Sequence, residues 1–354
     1  MTVYFLIYIL MGALPLLINK LISQPEKKHK YYSIICGILI ILLLAMRAQS
    51  MGVDLGYGTN VGYLSSFDKI SRFTWEQAFT QDVHNYERGY IIFNKLISCV
   101  WNDKQFFLAM CALVGVAPVI YVVYKKSHNA IFSYYIYMGL PSFLMLFSGI
   151  RQSIAIGICF LAYSFIEDKK LIKFVLTVFV ASLFHYTSII FLLAYPLYYI
   201  KVNNTGRVFS LVFLPIIYIF RYPLFSLLSR IFKDEALPDD NGAITLLLIF
   251  VLIYVFCVIF ARKEKQMNGL LNLFYLACVC QVFSGVYSTA MRVGYYFMIF
   301  AILLIPHIIE NLRENTEVKV ILTFVISIAF MLFGLYLLYN STFAQAYPYI
   351  FFWR

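Results

Sequence analysis

Charge is what this sequence has least of. Of its 354 residues, 13% are Asp, Glu, Lys or Arg, 62% are hydrophobic, and mean hydropathy is +0.81. A soluble domain carries roughly a quarter charged residues, so this composition excludes a soluble globule and implies a chain built for lipid. Linkers are missing too. No Gly/Ser/Pro-rich stretch interrupts the sequence, which predicts a single integral membrane domain over 1–354. The opening MTVYFLIYILMGALPLLINK has neither a basic leader region nor a small-residue cleavage site and reads as a retained first span. There is no HExxH, no Asp-x-Asp pair and no phosphate loop ending in Gly-Lys-Ser/Thr. Cys278 and Cys280 fall on different helix faces, and the seven cysteines sit almost entirely in apolar stretches. They read as small packing residues, so neither a metal site nor a cofactor is expected.

What is there is apolar sequence in long runs. Segments near 3–22, 31–47, 105–124, 130–148, 152–166, 171–184, 186–200, 208–226, 243–261, 269–286, 292–309 and 320–339 predict about 12 transmembrane helices, some of them short. The fold class is an all-α polytopic membrane protein. An even number of spans puts both termini on one side. The loops KLISQPEKKHK, KKSHN, EDKKLIK, KVNNTGR, ARKEKQ and ENLRENTEVK hold 16 of the 28 basic residues and 7 of the 17 acidic ones, a net of +9. The opposite set nets +2, so the first set is cytoplasmic and both termini lie outside. The overall +11 is then mostly a topology signal, and nucleic acid is not an expected partner.

Lysine and arginine divide differently across this topology. Of the 17 lysines 13 lie on the cytoplasmic side, whereas 8 of the 11 arginines lie outside or at outer span ends: Arg47, Arg72, Arg88, Arg151, Arg221, Arg230, Arg292 and Arg354. Arginine keeps its charge when desolvated and grips phosphate with a planar fork of donors. Snorkelling to headgroups is the competing reading, and it fits Arg151 and Arg292 least well.

Three polar clusters converge on the outer side. The stretch after span two, MRAQSMGVDLGYGTNVG, carries Arg47, Asp54 and the glycines 52, 56, 58 and 62. Glycines allow close backbone approach to a ligand, or simply make a turn. Within the outer loop 48–104, WEQAFTQDVHNYERGYIIFNKLI places Trp75, Tyr86, Glu87, Arg88 and Tyr90 together. Rings that stack on sugar faces beside a carboxylate suit glycan recognition, although an aromatic belt would look similar. The apolar segment from Gly89 to Trp101 is too short to cross and reads as a re-entrant or interfacial helix. The third cluster is Arg151-Gln152 and His185, each in the middle of an apolar run. Such runs fit two short helices meeting at a polar tip. Ionisable groups at such depth cost roughly 2.5–3.5 kcal/mol or more, which makes them functional candidates.

These residues in this order resemble a known family. Arg47, Gly52-x-Asp54, Tyr86-Glu87-x-Gly89-Tyr90, Arg151-Gln152-x-x-Ala155 and Phe184-His185-x-Thr187 resemble the EpsG/Wzy-like polymerases of bacterial exopolysaccharide and capsule repeat units, over about residues 45–200. The resemblance implies a metal-independent glycosyltransferase in the bacterial cytoplasmic membrane with its active site facing outside. A glycan on undecaprenyl diphosphate would pass to the non-reducing end of a lipid-linked repeat unit. Donor and acceptor are both partners, alongside membrane lipids, a flippase and a chain-length regulator. It also implies that Arg151, Gln152 and Arg47 hold the diphosphate, that His185, Asp54 or Glu87 handles the acceptor proton, and that Trp75, Tyr86 and Tyr90 contact sugar. Arg292 joins the diphosphate set on charge, depth and side alone.

Two other classes use similar features. A lipid-oligosaccharide flippase would need buried arginines but should show internal repetition. A membrane O-acyltransferase would use a deep histidine with a donor from the cytoplasm. Sidedness separates them from the polymerase. Cysteines at Thr59 and Asp239 should react with an impermeant thiol reagent from outside while one at Asn129 stays silent; the reverse pattern inverts the topology.

Overall fold

The computed structural model describes residues 1–232, 242–261 and 265–354; Asp239 lies outside them, as does the side chain of Arg230. Among the described residues the chain is helical, with no strand beyond one isolated bridge, Arg47 to Phe351. It is a multi-pass membrane protein by composition and helix length. Two compact units emerge: Met1–Ile189 with Val320–Arg354, and Ile190–Lys319. That partition is finer than the single domain expected from the lack of a linker. The second unit is inserted within the first along the chain.

The first unit begins with α1 (Thr2–Leu21) and α2 (Pro25–Ala45), then the short α3 (Tyr63–Ser71), α4 (Trp75–Thr80) and α5 (Arg88–Val100). It continues with α6 (Lys104–Lys126), α7 (Ala130–Gly139), α8 (Ile150–Glu167) and α9 (Leu171–Ser182). The second contains α10 (Ala194–Tyr199), α11 (Asn204–Ile219), α12 (Arg221–Phe232), α13 (Gly242–Phe260), α14 (Lys265–Val282), α15 (Ser288–Met298) and α16 (Ala301–Glu310). Last comes α17 (Thr316–Asn340), which returns the chain to the first unit.

Local chemistry sets the helix ends. Pro25 opens α2 where its missing N–H costs nothing, with Glu26 in the same turn. Asp103 caps α6 by accepting from the Phe106 amide at 2.8 Å, and Asn129 caps α7 through Phe132 at 3.1 Å. Helix α7 stops after 10 residues because Pro141 drives Leu140 into extended backbone.

Six stretches among the described residues are long and apolar enough to cross: α1, α2, α6, α8, the run Thr289–Glu310, and α17. A seventh forms if α11 and α12, bent by 78° at their junction, count as one. Of the other apolar runs, α13 is a strongly apolar helix of 19 residues whereas α7, α9 and α10 are short, so the described residues hold fewer long apolar helices than the twelve expected spans. Helices of 10 and 12 residues, α7 and α9, cover about half of a ~30 Å hydrocarbon core. The run 171–200 breaks at Leu183–His185, where a short helix turns and leaves the half-buried His185 at the tip. The preceding run breaks earlier than expected, at Pro141, and resumes as α8 at Ile150. Within 48–104, the 13-residue α5 buries Tyr90, Ile91, Asn94 and Ile97 on one face and is too short to cross.

Small residues let the crossing helices close. A Cβ on Gly157 of α8 would stand 2.5 Å from the Gly115 carbonyl oxygen of α6, so only glycine permits that contact. At one end of this unit the Tyr4 hydroxyl donates to the Ala346 carbonyl at 2.5 Å. The Ala48 amide donates to Ile350, and Phe352 to Met46, which joins the exit of α2 to the C-terminal segment. Both chain ends therefore lie at this end. At the opposite end His29 Nε2 lies 3.3 Å from the Val123 carbonyl and Lys126 pairs with Glu167, among the lysine-rich loops.

Candidate functional site

The site is built where α5 starts, α8 starts and α9 stops. Glu87 is the residue before α5, and the α5 backbone docks directly on the α9 turn: the Tyr90 amide donates to the Leu183 carbonyl at 3.0 Å. Gly89 makes that approach possible. A Cβ there would fall 2.8 Å from the Leu183 oxygen and 2.6 Å from its Cβ. The docking delivers the Glu87 carboxylate to two elements far away in sequence.

Both carboxylate oxygens are engaged. Arg151 Nη1, from the first turn of α8, donates to Oε2. The Tyr186 amide donates to Oε1 at 3.0 Å, and His185 Nδ1 lies 3.2 Å from the same oxygen, an ion-pair distance that does not meet hydrogen-bond geometry. The three side chains are 12% (Glu87), 19% (Arg151) and 16% (His185) exposed, so the cluster is largely desolvated. Burial alone would raise the Glu87 carboxyl. The contacts from His185, the Tyr186 amide and Arg151 outweigh it and hold the group at about 2 against an ordinary 4.5. Glu87 is therefore ionised at any physiological pH and cannot itself be the resting proton acceptor of choice. His185 Nε2 makes no hydrogen bond among the described residues and stays open to the surface.

Aromatic rings pin Arg151 from the other side. Its guanidinium carbon sits 4.2 Å from the Tyr86 ring centroid and 6.0 Å from that of Tyr63. Tyr63, Tyr86 and Tyr90 form a cluster with centroids 5.4–5.7 Å apart. Burial pushes the Tyr63 phenol up to about 12 even beside the Arg151 charge, so it remains a neutral partner. Asp54 is close enough for its charge to act on Tyr63 and Tyr86. Its amide donates to Ser148 Oγ at 2.9 Å, tying the glycine-rich loop to the entry of α8. Its carboxylate makes no hydrogen bond or ion pair among the described residues.

Other expected residues stand elsewhere or face inward. Arg47 is 2% exposed; Nη1 donates to the Leu146 carbonyl at 2.8 Å and its guanidinium lies over the Phe147 ring. It fastens the exit of α2 to the turn before α8. Gln152 and Tyr90 are buried, and Trp75 begins α4 with 45% exposure. Arg292 is exposed on α15, in the second unit. The glycines of the 52–62 loop serve the chain itself: Gly52 and Gly62 have φ of +126° and +137°, and a Cβ on Gly52 would meet the Phe147 carbonyl at 2.1 Å. Sequence reasoning missed Tyr63, Ser148 and the Tyr186 amide. Nothing in the local sequence marks a tyrosine or a backbone amide as a partner of a distant charge.

The profile of the EpsG family matches residues 30–351. The chain belongs to the EpsG family. No curated protein and no solved structure matches it significantly. The match runs well past the motif-bearing 45–200, so the second unit is part of what defines an EpsG-family chain. Membership supports a polysaccharide-polymerase-like function at a membrane.

The depressed Glu87 carboxyl makes a stability prediction. A carboxylate held at about 2 when folded and near 4.5 when unfolded stabilises the fold fully above pH 4.5 and loses that contribution as pH falls toward 2. Thermal unfolding of wild type and Glu87→Gln in detergent should differ by a constant amount above pH 4.5, and the gap should close on acidification. A gap that does not change with pH means that Glu87 is not the shared ionised partner.

Proposed function

We propose that this protein is a metal-independent membrane glycosyltransferase that polymerises lipid-linked glycan repeat units at the outer leaflet of the bacterial cytoplasmic membrane. The observation that supports it best is the Glu87–Arg151–His185 cluster, at the end of its unit opposite the lysine-rich loops. By the positive-inside rule those loops are cytoplasmic, which turns the cluster and both termini outward. The topology we propose has about twelve passes, with the short helices as partial crossings.

In this reading Glu87 is a positioning residue and His185 is the base. A carboxylate at Nδ1 fixes the imidazole as the Nδ1–H tautomer and leaves the Nε2 lone pair for the acceptor hydroxyl. Nε2 takes the hydroxyl proton as the oxygen attacks the anomeric carbon of the donor. The bond to the diphosphate breaks, its electron pair leaves with undecaprenyl diphosphate, and the imidazolium later releases the proton. A single displacement of this kind inverts the anomeric centre. Arg151 is the cation nearest the base, and we assign it to the diphosphate, whose charge grows as the bond breaks. Asp54, unpaired and beside the same tyrosines, is the group best placed to accept from a sugar hydroxyl, with Tyr86 as the accessible ring. The partners are the lipid-linked donor and acceptor, with a flippase that supplies them and a regulator of chain length.

His185→Ala removes the base and leaves Arg151 on Glu87. General-base help is worth about 10²–10⁴-fold. Cells carrying this variant, folded and inserted, should accumulate single lipid-linked repeat units and show polymer reduced at least about a hundredfold. Polymer of normal length and amount would remove His185 from the chemistry.

A further inference from the structure

The second unit contains a groove that the polymerase reading does not use. It encloses about 540 Å³ between the end of α10, α11 and α14. One wall is apolar and open: Phe209, Val212, Phe213 and Ile216 are 68%, 55%, 55% and 43% exposed. At the other end of the lining stands Arg207, only 6% exposed.

Arg207 is held by neutral groups. Its Nη2 donates to the Asn268 carbonyl at 3.0 Å and to Asn268 Oδ1 at 2.7 Å, while Nη1 donates to the Tyr254 hydroxyl at 3.3 Å. Among the described residues no carboxylate pairs with it. A buried cation without an anion is costly, and several kcal/mol of desolvation is the usual scale. The surroundings increase the positive field. Arg207 lies in the first turn of the 16-residue α11, where the helix dipole is positive, and Lys201 is in the loop just before it. Asn268 and Asn272 hold that loop rigidly through the Ile200 carbonyl.

We propose that this groove binds an anionic phospholipid, with the headgroup phosphate at Arg207 and an acyl chain along the wall of Val212, Phe213 and Ile216. Two features select this occupant. The walls are apolar and face outward from a membrane-spanning unit, so hydrocarbon is the medium that meets them. The single charged group in the lining is a buried cation just after the Lys201-bearing loop, one of those the charge distribution makes cytoplasmic, the level at which an anionic headgroup lies in that leaflet. A free phosphate would leave the apolar wall unused, and a zwitterionic lipid would leave the field uncompensated.

The test uses the full chain in nanodiscs of mixed phosphatidylcholine and phosphatidylglycerol. Photoactivatable analogues of each lipid, with the reactive group on the acyl chain, are crosslinked in turn and mapped by mass spectrometry. The phosphatidylglycerol probe should label residues 205–219 about tenfold more than the phosphatidylcholine probe. Arg207→Gln should abolish that preference. Val212→Trp, which fills the groove from its exposed wall and leaves Arg207 and its partners in place, should reduce labelling by both probes; it serves also if the Arg207 variant does not fold. Equal labelling of wild type by the two probes overturns the proposal. So does full labelling in Val212→Trp, or displacement of the lipid probe by inorganic phosphate, which would mark a simple anion site.

Discussion

One carboxylate organises the site. Glu87 receives Arg151 on one oxygen and the Tyr186 amide with His185 on the other, and it does so from a position 64 residues before Arg151 and 99 before Tyr186. Each contact depends on the next. Arg151 offsets the cost of burying the charge, the charge aligns the imidazole, and the amide keeps the α9 turn against α5. Removing one partner of a buried pair costs roughly 3–5 kcal/mol, because the other is left uncompensated. The cluster therefore stands or falls as a unit. In the reaction proposed for His185, that coupling would keep its tautomer fixed.

The membrane supplies the second constraint. In the first unit the two ends of the helices are chemically distinct: tyrosines, Arg47 and the C-terminal segment at one, lysines and the Lys126–Glu167 pair at the other. Short helices meeting at turns place polar side chains below the surface without exposing unsatisfied backbone to lipid. The break at Leu183–His185 puts His185 at such a turn, and the Pro141 break with the turn before α8 does the same for Arg151.

Much of the fold was legible in the sequence because hydropathy is a strong signal over long runs. Helices α1, α2, α6, α8 and α17 lie where apolar composition put them. Helix length was less legible: 130–148 reads as continuous, yet Pro141 divides it. Arg151, Glu87 and His185 each stood out singly, as ionisable groups in apolar or aromatic settings. Their gathering on the outer side followed from the loop charges, but their direct contact did not, since it rests on Gly89 letting one backbone reach another, and a glycine in a motif does not say which backbone it meets. Arg47 shows the reverse difficulty. An arginine after a span looks the same in sequence whether it faces a ligand or, as here, a protein carbonyl and a phenylalanine ring. Arg207 was counted among the loop charges that report topology, although the fold buries it.

The proposed reaction depends on Glu87 fixing the proton of His185, and ring-nitrogen NMR reports this directly. The protein has five histidines, so a protein labelled with ¹⁵N-histidine gives few signals, and the spectrum of His185→Ala identifies the one in question. At neutral pH, His185 should appear as the Nδ1–H tautomer with an unprotonated Nε2, and Glu87→Gln should weaken that preference. An Nε2–H tautomer in the wild-type protein, or a spectrum unchanged by Glu87→Gln, would contradict it.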